Sequence, residues 1–136
     1  MTQEDKQLLL ADLCGRLPYG VFVNIEGFDY DFNGKLVQVY FGNINRCSIQ
    51  VGCNISYSLE ETKPWLRPMS SMTEEEKKEF NDQIYKAKPY SDGKSYNVYE
   101  VTGLNIDWLN AHHFDYRGLI EKRLAISTEE YNPYKS

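Results

Sequence analysis

The sequence is poor in the residues that most directly announce chemistry. It has two histidines, His112 and His113, which are neighbours, and three cysteines, Cys14, Cys47 and Cys53. An odd cysteine count without CxxC spacing excludes a simple disulfide framework and gives no zinc signature; reduced thiols fit it best. No apolar run approaches the ~18 residues of a membrane-spanning helix. The opening "MTQEDKQLLL" has neither the basic start nor the long apolar stretch of a secretory signal. A cytoplasmic location with no membrane partner is therefore expected, and the sequon at Asn54 carries no meaning there. An excess of positive charge is also missing. Lys and Arg total 15 against 20 Asp and Glu, a net charge of −5, and the bases sit beside acids, as in "EEEKKEF" and "IEKRL". Phosphate recognition needs clustered bases, so general nucleic-acid binding is disfavoured. There is no GxSxG, P-loop or GxGxxG motif, and no Cys or Ser with a sequence-local activating partner.

What is present describes an ordinary globular protein. With 136 residues, 41% hydrophobic and 26% charged, the chain is expected to form one domain, 1–136, that buries about two-thirds of its unfolded surface. It needs no metal, cofactor or disulfide to hold a core. Eleven tyrosines against six phenylalanines suit thin sheets and contact surfaces, because a tyrosine can keep its hydroxyl wet while its ring packs.

The hydrophobic pattern divides the chain. Residues 1–17 read as a helix, with Thr2 and Asp5 placed for a capping box, Leu9, Leu10, Leu13, Cys14 and Leu17 on one face, and Gly15 and Pro18 as stop signals. Residues 19–68 switch to period two. Val21, Val23 and Ile25 share a face, Asn33-Gly34 gives a hairpin turn, and "KLVQVYFG", "CSIQV" and "NISYSL" supply further strands. Pro64 and Pro68 interrupt the pattern. Residues 73–126 read as mainly helical. Thr73 and Glu76 frame a capping box ahead of Phe80, Ile84 and Tyr85. "SYNVYEV" is one strand within this part, "GLNIDWLNAHH" is a helix with Leu104, Trp108 and His112 in a row, and "FDYRGLIEKRLA" is a second helix capped by Asp115 and stapled by Phe114 and Leu119. Residues 127–136 read as a frayed tail. The fold expected is α+β: an N-terminal helix, a bent antiparallel meander of about four or five strands, and C-terminal helices packed on it. An SH3-like or Sm-like small barrel is one form of it, and an open sheet covered by helices is the other.

Three stretches are candidates for function. His112, His113 and Asp115 have the composition of a metal or hydrolytic site, but adjacent helical residues point about 100° apart. The i,i+4 spacing of helical zinc ligands is missing, and nothing in the spacing points to Cys47 or Cys53 as further ligands. The structural reading makes His112 a half-buried member of the helix row, His113 a ring at the negative end of a helix, and Asp115 a cap. In "DYDFNGKL", Asp29, Asp31, Asn33 and Gly34 match the first half of a calcium loop, but Val37 and Tyr40 stand at positions nine and twelve, so no metal is assigned. Trp65 and Arg67, in a proline-stiffened segment, and Tyr116 and Arg117, at the helix corner, are the candidate interaction surface for an unknown protein partner. The alternatives are an enzyme using His112, His113 and Asp115, or a nucleic-acid-binding small barrel.

The blocks "MTQEDKQLLLADLCGRLPYG", "KPWLRPMSSMTEEEKKEF" and "WLNAHHFDYRGLIEKRLAI" resemble a family of uncharacterised small proteins encoded by gut Bacteroidales bacteria and by their phages and prophages. The family pattern has Tyr at the position of Trp65 and Gly at that of Arg123, and Arg123 is expected to let the last helix run on. The resemblance implies a bacterial or phage cytoplasm and a mobile-element context, and carries over no catalytic or cofactor-binding residue. The sequence therefore reads as a non-enzymatic protein-interaction module.

Overall fold

The computed structural model describes residues 2–26, 32–41, 47–51, 56–87 and 103–135. The architecture is α+β: an N-terminal helix, a mixed sheet and further helices. Helix α1 spans Gln3–Arg16 and starts as its sequence dictates. Asp5 N–H donates to Thr2 Oγ1 (3.0 Å) and Thr2 N–H to Asp5 Oδ2 (3.3 Å), satisfying two amides that a helix start leaves free. Its end differs from expectation. The helix runs through Gly15 and tightens into a 3-10 turn, Leu17–Tyr19, that accepts Pro18 in its first turn; the left-handed cap is Gly20, at φ 72°.

Strands β1 (Phe22–Ile25), β2 (Phe32–Phe41), β3 (Cys47–Val51) and β4 (Ser56–Ser58) form the antiparallel meander. Val21, Val23 and Ile25 are fully buried, as period two requires. Asn33 and Gly34 do not form the turn. They lie inside β2, opposite Asn24 and Val23, which leaves the connection to 27–31, outside the described residues. Tertiary contacts override the local turn preference: Asn33 Oδ1 accepts from Asn24 Nδ2 (2.9 Å) and from the Trp65 indole N–H (2.8 Å). The calcium reading thereby loses Asn33 to the sheet, while Asp29 and Asp31 lie outside the described residues, as does the strand expected at 95–101.

Strand β5 (Thr62–Leu66) pairs with β1 on the side away from β2. The order is β4-β3-β2-β1-β5-β6. In a flat sheet β4 and β5 would stand four spacings apart, about 19 Å. Yet one 3-10 turn, Leu59–Glu61, joins them, and Thr62 Oγ1 donates to Ser58 O at 2.9 Å. The sheet must curl until these strands approach at this end; no ladder pairs β4 with β5 among the described residues. Pro64 is tolerated in β5 because β6 (Ile126–Ser127) covers only Trp65 and Leu66. That last pairing is parallel, so the sheet is mixed rather than purely antiparallel.

Helix α2 (Glu74–Ala87) begins with the Thr73–Glu76 capping box, and α3 spans Gly103–Ala111. Among the described residues two apolar clusters result. One joins Leu9 and Leu13 of α1 to the sheet and to Leu119, Leu124 and Ala125. The other gathers Met72, Phe80, Trp108, Leu109 and Phe114. The helix expected over 114–125 is not formed. Gly118 at φ 75° interrupts it, and the Asp115 carboxylate takes the amides of Leu119 and Ile120 at 2.8 and 2.9 Å. Phe114 and Leu119 enter different clusters, so the staple is absent. Arg123 does not extend a helix either. At φ 61° it closes a single turn, with Leu124 N–H donating to Leu119 O (2.9 Å) and Arg123 N–H to Ile120 O (3.0 Å), the pair of bonds that ends a helix at a left-handed residue.

The tail is not frayed. Tyr134 O–H donates to Trp65 O (2.7 Å) and accepts from Phe22 N–H (3.0 Å), and its ring lies between those of Phe22 and His113, at 5.3 and 3.8 Å.

Candidate functional site

The histidine corner is built by the way α3 ends. His113 takes the left-handed conformation, φ 64°, at a position that normally holds glycine. Phe114 N–H donates to Leu109 O (2.9 Å) and His113 N–H to Asn110 O (3.1 Å), while the side chains of Phe114 and Leu109 share one cluster. The reversed chain then clamps the end of β5: Arg67 N–H donates to His113 O (2.7 Å) and Asp115 N–H to Arg67 O (2.8 Å).

The two rings turn to different partners. His112 stacks on Trp108, centroids 4.1 Å apart, with Nδ1 2.9 Å from Trp108 O. A carbonyl only accepts, so Nδ1 carries the proton and Nε2 of the neutral ring is an acceptor. His113 lies flat on Tyr134, at 3.8 Å and 9°, and its buried Nδ1 has no hydrogen-bond partner. Burial, with Arg16, His112 and Arg67 nearby, pushes its pKa from 6.5 down to about 4. It is thus a stacked packing ring held in its neutral form, where a positive or hydrogen-bonding ring was expected at the helix end. The Asp115 carboxylate is occupied by two backbone amides. Among the described residues no group of three or more His, Cys, Asp or Glu could hold a metal ion. Both rings do border an open cavity of about 590 Å³, which Arg67, Glu76, Glu129 and Lys135 also line.

Burial of His113 gives an acid-sensitive stability. The unfolded chain binds a proton near pH 6.5, and the folded chain resists it until about pH 4. Stability is therefore complete above pH 6.5, falls as the pH drops through that window, and is lowest below pH 4, by up to about 3 kcal/mol and by less to the extent that solvent screens the partly buried ring. Urea denaturation at pH 7 and at pH 4.5 should show the decline. His113→Phe, which keeps the stack, should flatten it; an unchanged slope in that variant would contradict the assignment.

The four residues expected to form an interaction surface are not brought together as one exposed patch. Trp65 is 6% exposed, its indole N–H bound to Asn33, so its ring is withheld from a partner. Arg67 makes a two-pronged pair with Glu76 (2.7 and 2.6 Å) and lies over the Phe114 ring at 4.1 Å; this guanidinium holds the Glu76 carboxyl down at a pKa of about 2. Tyr116 O–H donates to Asn110 Oδ1, and Arg16 and Arg117 both approach its ring, at 5.1 and 4.6 Å. Arg117 also binds Asp12 at 2.8 Å.

Beneath this corner lies a charged core that the sequence reading missed. Asp12 and Arg16, both fully buried, pair at 2.8 Å across one turn of α1, and Arg16 Nη2 donates to Phe114 O at 2.6 Å. A visible signal existed: an acid and a base four apart, flanking Leu13 on the helix face that carries Leu9. Tyr134, the anchor of the tail, had none. Comparison with protein-family models, with curated proteins and with solved structures returned no match.

Proposed function

We propose that the chain is a non-enzymatic protein-interaction module of a phage or other mobile element. One observation carries this: the fold itself uses the groups in the histidine corner that chemistry would need. His113 is stacked and neutral, and Asp115 holds two amides. With Trp65 withdrawn, the proposed contact surface centres on Tyr131, which is 58% exposed and meets the Trp65 ring edge-on at 5.7 Å. Tyrosine and arginine dominate the binding energy of such surfaces. The test is affinity capture from lysate of a bacterial host with wild-type chain and Tyr131→Ala. A partner held by wild type and bound about tenfold or more weakly by the variant is expected; identical sets on both would refute this surface.

A second reading, an enzyme, is favoured by one feature: His112 borders the cavity of about 590 Å³ with its Nδ1 tautomer fixed by a backbone carbonyl, an arrangement also used to orient general bases and metal ligands. A melting temperature unmoved by zinc or manganese, and equal in His112→Gln, would remove its metal-dependent form. The curl of the sheet supports a small barrel, and a salt-dependent mobility shift would be needed to make that barrel a nucleic-acid binder.

A further inference from the structure

The segment Leu124–Lys135 behaves as a separate strap laid over a slot that other elements build. Its strand contribution is β6 alone, two residues against Trp65 and Leu66, extended by Thr128 N–H donating to Leu66 O at 3.0 Å. Its anchors are Tyr134, held by two hydrogen bonds and two ring contacts, the Tyr131 ring edge-on to Trp65, and Leu124 and Ala125, buried in the main cluster. The slot walls are fixed without it. β5 is paired to β1, and the end of β5 is clamped by His113 and Asp115. Arg16 holds the Phe114 carbonyl. The residue just before the strap is Arg123, in a left-handed conformation (φ 61°) that non-glycine residues adopt only against strain.

From this juxtaposition, a preformed slot, a strap whose partners all lie on other elements and a strained hinge, we propose that the slot's second occupant is the strap of another copy of this chain, exchanged to give a dimer. A second copy is the one partner whose complementarity is already displayed, since its strap would make the same bonds to β5, Phe22 and His113. Exchange requires that the turn 118–123 open, releasing buried Leu119 and the two amide bonds to Asp115, and that Leu124 and Ala125 pass into the partner's core. Extended, the turn's last five residues span about 16 Å, and Arg123 returns to negative φ. Each hinge that opens sheds the strain of one left-handed arginine, and a dimer opens two.

The test is the oligomeric state of the full chain, refolded at high and at low concentration and measured by light scattering on a sizing column. Arg123→Pro fixes φ near about −65° and removes the N–H that closes the turn, so it is expected to refold as a dimer. Arg123→Gly relaxes the turn in place and should stay monomeric, the two dissociation constants differing by about a hundredfold. Adding Tyr134→Ala to Arg123→Pro should abolish the dimer. A folded, monomeric Arg123→Pro chain overturns the proposal, as does a dimer that survives Tyr134→Ala, since its interface would lie elsewhere. Should Arg123→Pro fail to fold, Arg123→Val takes its place under the same criteria. If that also fails, wild type that is only monomeric after refolding at high concentration overturns the proposal.

Discussion

Asp12→Ala is expected to destabilise the chain by about 3–5 kcal/mol, the range for breaking a buried ion pair from one side. Asp12 is fully buried and accepts from two guanidinium groups, Arg16 Nε and Arg117 Nη1, each at 2.8 Å. Removing it strands Arg16, which is also fully buried and already has an Nη1 without a hydrogen-bond partner. The cost is that of an uncompensated charge in a place water does not reach. The diagnostic is non-additivity. Asp12→Ala/Arg16→Met removes both charges and fills the space, so it should be more stable than Asp12→Ala alone. Urea denaturation of the two chains decides this; a double variant no more stable than the single one would mean that Arg16 is not the stranded group.

Phe114→Ala is expected to cost a similar amount, about 3–5 kcal/mol, for a different reason. The ring is fully buried between the Trp108 indole, 5.7 Å and nearly parallel, and the Arg67 guanidinium, 4.1 Å from its centroid. Its backbone ties three elements: N–H to Leu109 O in α3, C=O from Arg16 in α1, and a bridge to Arg67 at the end of β5. Deleting the side chain leaves a void that these fixed neighbours cannot close. Phe114→Leu, which keeps most of the volume, should cost less than about half as much. Because Trp108 loses one of its ring neighbours, its fluorescence should change in the folded alanine variant as well, separating a local repacking from a global effect. An alanine variant within about 1 kcal/mol of wild type would show that the corner repacks freely.

The fold was legible where local signals agree with tertiary demands. Thr2–Asp5 and Thr73–Glu76 cap helices because side-chain oxygens satisfy nearby amides whatever the rest of the chain does. Val21, Val23 and Ile25 face the core because alternation is intrinsic to a strand. The failures come where distant residues outbid local preference. Asn33-Gly34 has turn chemistry, but Trp65 and Asn24 recruit the asparagine into a strand. The stretch 114–125 has helical spacing, but Asp115 spends its carboxylate on amides four and five residues ahead. The polar tail looked unstructured because its docking rests on partners far away in the chain, those of Tyr134 lying 69 and 112 positions off. At the candidate site the two neighbouring histidines lie past the end of the helix and turn to different partners, His112 on Trp108 and His113 on Tyr134, while both border one cavity. The sequence does not signal the cavity beside them, because a cavity is a property of how α2, α3, β5 and the tail meet, and no one of them carries its signature.

The Phe22–Tyr134 hydrogen bond spans 112 positions. A ribosome adding about 5–20 residues per second takes roughly 6–20 s to travel from one to the other. For that interval the first strand is already synthesised while the group that completes it is still unmade. Until residues 126–134 emerge, the edge of β5 that they cover stays open on the nascent chain.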